Sequence, residues 1–454
     1  MDRRGALVVG LLTAAWMVFA TAVYLPDVGR GFVKDDFGWI ETGSRTARAP
    51  ARAFLEPRVG FYRPLVDLSF AVDSVVHGMK PRGYGFTNLT LYTACVAALW
   101  LLGRTLFLSP MAAAVAAVVW AVNPHGINMA LVWISGRTSL CLTLSAVIAA
   151  VMMLKRRYGW MALAVMAALA SKEEAVALPF ILLAWHALLA DDRARWRIAA
   201  GTLLPLAIYV ALRAHAAAFT PGSAPSYYRF AFDPVIVFLN ALEYIDRGAT
   251  IGLIAVAIAA ATLRIRPRLG GSSRLIAAGL VWFAGGFAFT LFLPIRSSLY
   301  AVFPSVGAAI AAGALIEQMM TVAPAARPRA VRLAAAMAVA LLAAVPVYRV
   351  RNARYVEPAR LSTRALRTIA PHTAAAPDGA TIVLRDAADP MSSFAGAFGT
   401  FATNAVRLQS GRDVNVWIDP PPGDWRLAGL QPPGDADVAL EFGVDHGRIF
   451  RIGN

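Results

Sequence analysis

Apolar stretches of roughly membrane-spanning length alternate with short polar segments through the first 348 residues. A straight helix needs about 20 apolar residues to cross the hydrocarbon core of a bilayer. The third and fifth stretches are shorter, so we expect them to be broken, tilted or continued into their loops. We predict eleven spans, at residues 5–25, 86–108, 111–123, 138–154, 159–171, 175–190, 198–213, 248–263, 275–293, 299–316 and 331–348.

The first apolar run follows Arg3 and Arg4, as it would in a signal peptide. It is long enough to span, however, and no small-x-small cleavage site follows it. We therefore expect it to be the first membrane helix rather than a cleaved leader.

The last hundred residues have a different pattern, with Pro/Gly/Asp turns between short alternating runs. Alternation of apolar and polar residues is typical of strands. We predict a helix over 391–409 and strands at 381–386, 413–418, 437–442 and 448–452. The expected organisation is a membrane domain over 1–348, with a first extracytoplasmic loop at 26–85, and a small α/β or α+β domain over 349–454.

The composition supports a polytopic, α-helical membrane protein. The 454 residues are 58% hydrophobic and 15% charged, whereas soluble domains are about 45–50% apolar and about 25% charged. The formal charge of +16 would also suit a nucleic-acid-binding protein, but most arginines lie beside apolar blocks, so we interpret them as topology signals and predict no nucleic-acid partner. Cys95 and Cys141 offer neither a disulfide framework nor a metal-ligand spacing.

Basic residues mark the connections that we predict to be cytoplasmic, as at Lys155, Arg156 and Arg157. The positive-inside rule then predicts a cytoplasmic N-terminus in the inner (plasma) membrane. Eleven spans would leave the C-terminal domain on the extracytoplasmic side.

This topology gathers most of the polar signatures on the extracytoplasmic face, at or just past the ends of apolar spans. Charged groups at membrane depth tend to face cavities or each other. The residues concerned are Asp35, Asp36, Arg63, His125, Arg137, Lys172, Glu173, Glu174 and Arg296. A carboxylate pair with cations around it, at a lipid–water boundary, suits transfer of a group from an anionic lipid carrier.

The chemistry of such a transfer assigns roles to these residues. An acceptor hydroxyl needs a base to take its proton as it attacks the sugar, and Asp35 or Asp36 is the best candidate. The leaving lipid phosphate needs fixed cations, and a direct displacement would invert the anomeric centre. The candidate phosphate ligands are Arg63, Arg137, Lys172 and Arg296.

Five stretches of this sequence resemble the tetratricopeptide-repeat-bearing O-mannosyltransferases of the endoplasmic reticulum and their bacterial relatives, which have the GT-C fold of multi-spanning glycosyltransferases. Order, spacing and loop placement agree over roughly the first 320 residues. The stretches are "FVKDDF", "YRPLVDLSFAVDSVVHGMKPRGYGFTNLTLY" (62–92), "NPHGINMALVWISGRTSL" (123–140), "SKEEAVALP" (171–179) and "RSSLYAVFPSVG" (296–307).

The resemblance implies that the acidic pair carries the base, that the donor is a polyprenyl- or dolichyl-phosphate sugar, and that transfer occurs outside the cytoplasm. It also implies a site lined by Tyr62, Arg63, His125, Arg137, Lys172, Glu173, Glu174, Arg296 and Tyr300. Two departures limit it. Ile295 stands where the family has an acid before the arginine, and the small C-terminal domain replaces the expected repeats, so the acceptor stays open: protein, lipid or envelope glycan.

Each assignment has a simpler alternative. The acids could be solvated loop residues, His125 a helix cap, and the arginines loop contacts or interfacial side chains. Other possible functions are a flippase for lipid-linked sugars or an envelope receptor; charges at one face rather than the midplane argue against transport. The sequence identifies no cofactor. A divalent cation bound by the two aspartates is an alternative that we do not favour. The expected partners are membrane lipids, the lipid-linked donor and the acceptor; the oligomeric state is open.

Overall fold

Helices occupy all eleven apolar stretches of the sequence. The structure, a computed structural model, describes residues 3–56, 60–106, 108–189, 194–220, 222–265, 273–322, 326–387, 392–423, 432–434 and 437–452. The helices are α1 Arg3–Tyr24, α2 Asp36–Arg48, α3 Arg52–Leu55, α4 Pro64–His77, α5 Pro81–Thr105, α6 Pro110–Ala121, α7 Gly126–Val132, α8 Arg137–Leu154, α9 Tyr158–Leu169, α10 Leu178–Leu189, α11 Arg195–His215, α12 Pro234–Leu263, α13 Ser273–Phe287, α14 Ser305–Val322, α15 Ala326–Ala343, α16 Val345–Thr373, α17 Phe394–Phe398 and α18 Ala402–Ser410. The strands are β1 Thr381–Arg385, β2 Asn415–Asp419, β3 Val438–Asp445 and β4 Arg448–Ile452.

The chain is a multi-pass membrane protein, but not every apolar helix is long enough to cross alone. Within the described residues, seven helices have the length and apolar composition to span, or eight if the pair α6–α7 is one span. The helices α9 and α10 have 12 residues each, a rise of about 18 Å against a hydrocarbon core of about 30 Å. The eleven stretches are therefore correctly placed, whereas fewer than eleven of them cross by this criterion.

The third predicted span is broken, as expected from its length. The axes of α6 and α7 meet at 62°, and Pro124 lies between them. Proline has no backbone N–H and cannot continue the helical hydrogen bonding. Beyond the break, α7 packs against α16 and against the segment Ser298–Ala301.

Small side chains and hydrogen-bonded tryptophans hold the membrane helices together. A Cβ added at Gly307 of α14 would lie 2.2 Å from the carbonyl oxygen of Gly279 in α13, so only glycine permits this approach. The indole N–H of buried Trp120 donates to the carbonyl of Val302 at 2.9 Å. These contacts hold α13 against α14, and α6 against the segment just before α14.

The C-terminal domain has the strands that the sequence predicted, within a few residues. Its sheet has the order β2-β1-β3-β4. Strand β1 is parallel to β2 and β3, and β3 and β4 form an antiparallel hairpin. The predicted helix over 391–409 is two helices, α17 and α18, separated by a tighter turn at Gly399–Phe401; residue 391 is outside the described part.

The segment between α1 and α5, predicted to be the first extracytoplasmic loop, is itself helical and shares a core with the C-terminal domain. Helices α2 and α4 pack on each other, and one apolar cluster joins Phe37 and Phe70 of this loop to Leu361 of α16 and Phe398 of α17. The predicted domain boundary after residue 348 falls in the first turn of α16, and the division of the chain there stays a prediction.

Candidate active site

A cavity of about 690 Å³ opens among the segments that the sequence predicts to be extracytoplasmic. A volume of this size is typical of small-molecule sites, at about 300–1,000 Å³. The sequence-predicted residues that line it are Asp35, Arg63, Lys172, Glu173, Glu174, Arg296 and Tyr300. The other four, Asp36, Tyr62, His125 and Arg137, are not part of its lining.

The two neighbouring aspartates have different environments. Asp35 is partly exposed in the cavity wall, and its Oδ1 accepts a hydrogen bond from the Ser135 hydroxyl at 2.8 Å. Asp36 is 1% exposed behind the wall. Its Oδ1 accepts from the Ser135 N–H at 2.8 Å and its Oδ2 from the Val33 N–H at 3.0 Å. Asp36 therefore fastens the loop to the turn before α8, whereas Asp35 faces the cavity.

Burial governs the charge state of Asp36. Desolvation, and then the neighbouring Asp35, raise the pKa of Asp36 to about 7, against the opposing effect of the two backbone N–H donors and Arg30. Arg30 is buried as well, and burial lowers its pKa to about 10. Its guanidinium donates to the carbonyls of Asp27 at 3.1 Å and Leu131 at 3.0 Å.

Contacts with α16 and α17 fix the backbone that carries Asp35. The N–H of Lys34 donates to the carbonyl of Ala397 at 2.9 Å, and Lys34 has a φ of 52°, which non-glycine residues rarely adopt. Gly31 has a φ of 115°, and a Cβ there would lie 2.3 Å from the carbonyl oxygen of Ala359. The C-terminal region thus shapes the loop that presents the carboxylate.

Glu173 is held between two arginines at the cavity wall. Its Oε2 accepts from Arg63 Nε at 3.0 Å and Nη2 at 2.7 Å, and its Oε1 accepts from Arg213 Nη1 at 3.3 Å. Burial is the largest single effect and would raise the pKa of Glu173, but the charge and hydrogen bonds of Arg63 together with the charge of Arg213 lower it. The pKa of Arg63 is raised in spite of its burial, because the charge and hydrogen bonds of Glu173 and the nearby Tyr228 and Glu174 together favour the charged form.

Lys172 and Glu174 form a second, more deeply buried pair. Lys172 Nζ lies 3.0 Å from Glu174 Oε2, donates to the Ser139 hydroxyl at 2.9 Å, and lies 4.9 Å from the ring centroid of Tyr300. Burial lowers the pKa of Lys172 and raises that of Glu174. Each charge therefore depends on the other for stabilisation.

Arg296 reaches the cavity from the segment before α14. Its Nε donates to Asn240 Oδ1 at 2.7 Å, and its Nη1 lies 3.3 Å from Glu243 Oε2. Its side chain is 35% exposed. The carboxylate beside this arginine thus comes from α12, while Ile295 lines the cavity at the position where the family motif has an acid.

Arg137 lies in the protein interior rather than at the cavity. It is 0% exposed and donates to Asn88 Oδ1 at 3.0 Å, to the Ser69 hydroxyl at 3.1 Å and to Asp73 Oδ2 at 2.6 Å. Its guanidinium also lies 4.2 Å from the ring centroid of Phe70. We therefore leave Arg137 out of the phosphate-binding set.

Tyr62 and His125 also lie outside the cavity lining. The Tyr62 hydroxyl, on a side chain 1% exposed, donates to the carbonyl of Phe54 at 3.2 Å. His125 Nε2 lies 3.8 Å from Asp246 Oδ2, and its Nδ1 lies 3.4 Å from Arg351 Nη2. Both residues support segments around the site.

One cation and most of the aromatic residues that line the cavity were not predicted from the sequence. Arg213 is the last residue of a predicted span, and its position at a helix end that the topology predicts to be extracytoplasmic was the available signal. Burial raises the pKa of Tyr228 to about 12, so this hydroxyl stays protonated at neutral pH. The further aromatic lining residues are Trp39, Phe61, Trp133, Tyr209, Phe219, Phe230, Phe289 and Tyr355.

The described residues contain no group of three or more His, Cys, Asp or Glu side chains placed to hold a metal ion. Asp35 and Asp36 are adjacent in sequence, but both carboxylate oxygens of Asp36 accept backbone N–H groups. Metal dependence stays a matter for experiment.

Comparison with known proteins gives one relative in sequence. No family model matches the chain. It is 32% identical over 181 residues to the protein O-mannosyl-transferase Tmtc1 of Drosophila melanogaster. The match covers 36% of this chain and 21% of that protein, so the chain spans only a minor part of its relative's length.

Solved structures with the same fold are known. ArnT from Cupriavidus metallidurans in the apo state superimposes with a TM-score of 0.56 at 14% identity, covering 97% of this chain and 93% of ArnT. ArnT bound to undecaprenyl phosphate gives a TM-score of 0.53 at 14% identity over 90% of this chain and 85% of ArnT. The Archaeoglobus fulgidus oligosaccharyltransferase, in complex with zinc and sulfate, gives 0.50 at 13% identity over 89% and 62%.

These comparisons agree with the resemblance found in the sequence motifs. The superposition with ArnT covers almost the whole chain. The chain is thus similar in sequence to a protein O-mannosyltransferase, and it has the GT-C fold of multi-spanning glycosyltransferases.

Proposed function

We propose that the protein is an inverting glycosyltransferase that moves a sugar, a hexose or a pentose, from a polyprenyl-phosphate carrier to a hydroxyl acceptor on the extracytoplasmic face of the inner membrane. The N-terminus would be cytoplasmic and the C-terminal domain periplasmic. The similarity to an O-mannosyltransferase and the fold shared with an ArnT solved with undecaprenyl phosphate support this class of donor.

The observation that carries the proposal is a carboxylate and several cations in one cavity at the end of a membrane bundle. Asp35 shares the cavity with Arg63, Lys172, Arg213 and Arg296. A general base must be within hydrogen-bond reach of the acceptor hydroxyl, and Asp35 is the member of the acidic pair that reaches the cavity. We assign the base to Asp35 and a loop-fixing role to Asp36.

The phosphate end of the donor is assigned to Arg63, Lys172 and Arg296. Arg63 Nη1 and Arg296 Nη2 make no hydrogen bond or ion pair with any described residue, so both can donate to a phosphate oxygen. The four cations that line the cavity face the lining carboxylates Asp35, Glu173 and Glu174, and Glu243 lies beside Arg296. The donor, a phosphodiester with a single negative charge, would add a further anion that the free N–H groups of Arg63 and Arg296 can bind.

The reaction is a single displacement. The acceptor oxygen attacks C1 of the sugar while Asp35 takes its proton, and the bond between C1 and the phosphate oxygen breaks with its electron pair going to the phosphate. The leaving polyprenyl phosphate gains negative charge, and fixed guanidinium groups stabilise this charge more in the transition state than in the bound donor. Attack opposite the leaving group inverts C1. The chemistry assigned here uses no metal ion.

The test is transfer of radiolabelled sugar from undecaprenyl-phosphate mannose, or another hexose or pentose, to a bacterial envelope fraction by the purified full chain. We expect Asp35→Asn to lower the rate by about 10²–10⁴-fold, the range for loss of a general base. Asp378→Asn is the matched control, because its side chain is 71% exposed in the C-terminal domain.

Asp36→Asn separates the two aspartates. We expect it to lower thermal stability and to retain more transfer than Asp35→Asn, since Asp36 fastens the loop instead of contacting the acceptor. Wild-type turnover by a folded Asp35→Asn variant would refute the assignment of the base. Turnover by an Asp35→Asn/Asp36→Asn double variant would refute the mechanism.

A further inference from the structure

Three N–H donors near the cavity have no hydrogen-bond partner among the described residues, although their atoms are buried. They are Trp133 Nε1, Arg247 Nη1 and Arg351 Nε. Buried polar groups in folded proteins are nearly always hydrogen-bonded, and those left without a partner often mark an absent ligand, ion or water. Two of these three donors carry positive charge, which favours an anionic ligand.

The three donors gather around one side chain, Tyr355 of α16. The Trp133 ring stacks on Tyr355 with centroids 6.0 Å apart and planes at 23°. Arg247 and Arg351 are both near enough to Tyr355 to interact with it electrostatically, and Arg351 precedes it by one helical turn. Trp133 and Tyr355 both line the cavity. The three side chains therefore lie around Tyr355, next to the proposed active site.

Positive charge exceeds negative charge at this place. Arg247 pairs with Glu243, a carboxylate that Arg296 also contacts. Arg351 and its neighbour Arg354 have no carboxylate within 4.0 Å in the described chain.

The remaining titratable group is His125, which lies between Asp246, at 3.8 Å, and Arg351, at 3.4 Å. A neutral His125 with its N–H toward Asp246 can accept from Arg351 through Nδ1, which adds no positive charge. Arg351 and Arg354 consequently have no carboxylate partner in the described chain unless an anion binds.

The position of the donors relative to Asp35 indicates which substrate would bring the anion. Trp133 is two residues before Ser135, whose hydroxyl bonds to Asp35, so its Cα lies within about 7 Å of that of Ser135. The acceptor hydroxyl must lie beside this base, so an anion held near Trp133 would belong to the acceptor. The phosphate of the carrier is already assigned to Arg63, Lys172 and Arg296 in the proposed function, on which this inference rests.

We propose that Trp133, Arg247 and Arg351 bind an oxyanion, a phosphate or carboxylate group, of the acceptor. The acceptor is then an anionic lipid or glycan with its negative group near the hydroxyl that receives the sugar. Planar guanidinium groups bind carboxylate and phosphate through paired N–H donors, and the indole N–H supplies a third donor fixed by the stack on Tyr355.

Binding of inorganic phosphate to the purified full chain, with undecaprenyl phosphate at saturation to fill the carrier end, tests the site without requiring transfer. We expect one further phosphate to bind to the wild type. Arg351→Gln should weaken this binding at least about tenfold, and so should Trp133→Phe, which retains the aromatic stack and loses the N–H. Arg367→Gln on the exposed face of the same helix is the charge-matched control and should bind as the wild type does.

The opposite results would overturn the proposal. Equal phosphate binding by wild type, Arg351→Gln and Trp133→Phe would exclude the site, as would loss of phosphate binding by the wild type when undecaprenyl phosphate is present. Binding of undecaprenyl phosphate itself should be lost in Arg296→Gln and kept in Arg351→Gln; the reverse would assign the site to the carrier. Wild-type transfer by Asp35→Asn would refute the proposed function and leave the phosphate-binding result standing.

Discussion

Replacing Arg137 by methionine should destabilise the protein while leaving its binding of undecaprenyl phosphate intact. The sequence alone predicts the reverse, a phosphate ligand. In the structure, the Arg137 side chain is fully buried, and its guanidinium donates to Asn88, Ser69 and Asp73. Methionine fills a similar apolar volume and removes every one of these donors.

The magnitude follows from the partner that stays behind. Asp73 is 3% exposed, and without Arg137 its carboxylate keeps only the Thr87 hydroxyl at 2.7 Å and His77 at 4.0 Å. Breaking a buried ion pair by removing one partner costs about 3–5 kcal/mol. An Arg137→Met/Asp73→Asn variant removes the uncompensated charge and should recover a large part of that loss.

The assay is the thermal unfolding midpoint of the purified variants in detergent, followed by binding of undecaprenyl phosphate below that temperature. Arg82→Met is the control, because Arg82 is exposed and its guanidinium lies 5.6 Å from the Phe86 ring centroid. The order of midpoints should be wild type and Arg82→Met, then the double variant, then Arg137→Met. A wild-type midpoint for Arg137→Met together with lost lipid binding would refute this reasoning and return Arg137 to the donor site.

Three further predictions concern the loop that carries the aspartates. Gly31→Ala should lower both the unfolding midpoint and the transfer rate, because a Cβ would lie 2.3 Å from the Ala359 carbonyl at a φ of 115°; an unchanged midpoint would contradict the fit. Phe398→Ala, at a fully buried position against Phe37, should cost about 3–5 kcal/mol and lower kcat, with Phe398→Leu recovering most of both. The pKa of Asp36 is raised to about 7 by burial, against about 3.9 in an unfolded chain. The folded state then binds more protons between these values, so the free energy of unfolding should fall as pH rises from about 4 to about 7; Asp36→Asn should flatten the dependence of the midpoint on pH, and an unaltered slope would count against it.

The sequence by itself determined the class of protein, the positions of the helices and the strands of the small domain. These features depend on local periodicity and on the length of apolar runs, which neighbouring residues determine. The break between α6 and α7 belongs to the same group, since the third apolar stretch is too short to form a straight span. The order of apolar and basic segments is also enough to gather Asp35, Arg63, Lys172 and Arg296 on one membrane face.

Only the tertiary structure decided which of those residues share a cavity. Asp35 and Asp36 are neighbours of one chemical type, yet one lines the cavity and the other accepts two backbone N–H groups behind it. Arg137 belongs to a conspicuous motif but is paired with Asp73, 64 positions away in the sequence. Glu243 and Arg351 carry no local signal that would place them near the cavity. Side-chain direction and ion pairing depend on residues distant in the chain, which hydrophobic periodicity does not encode.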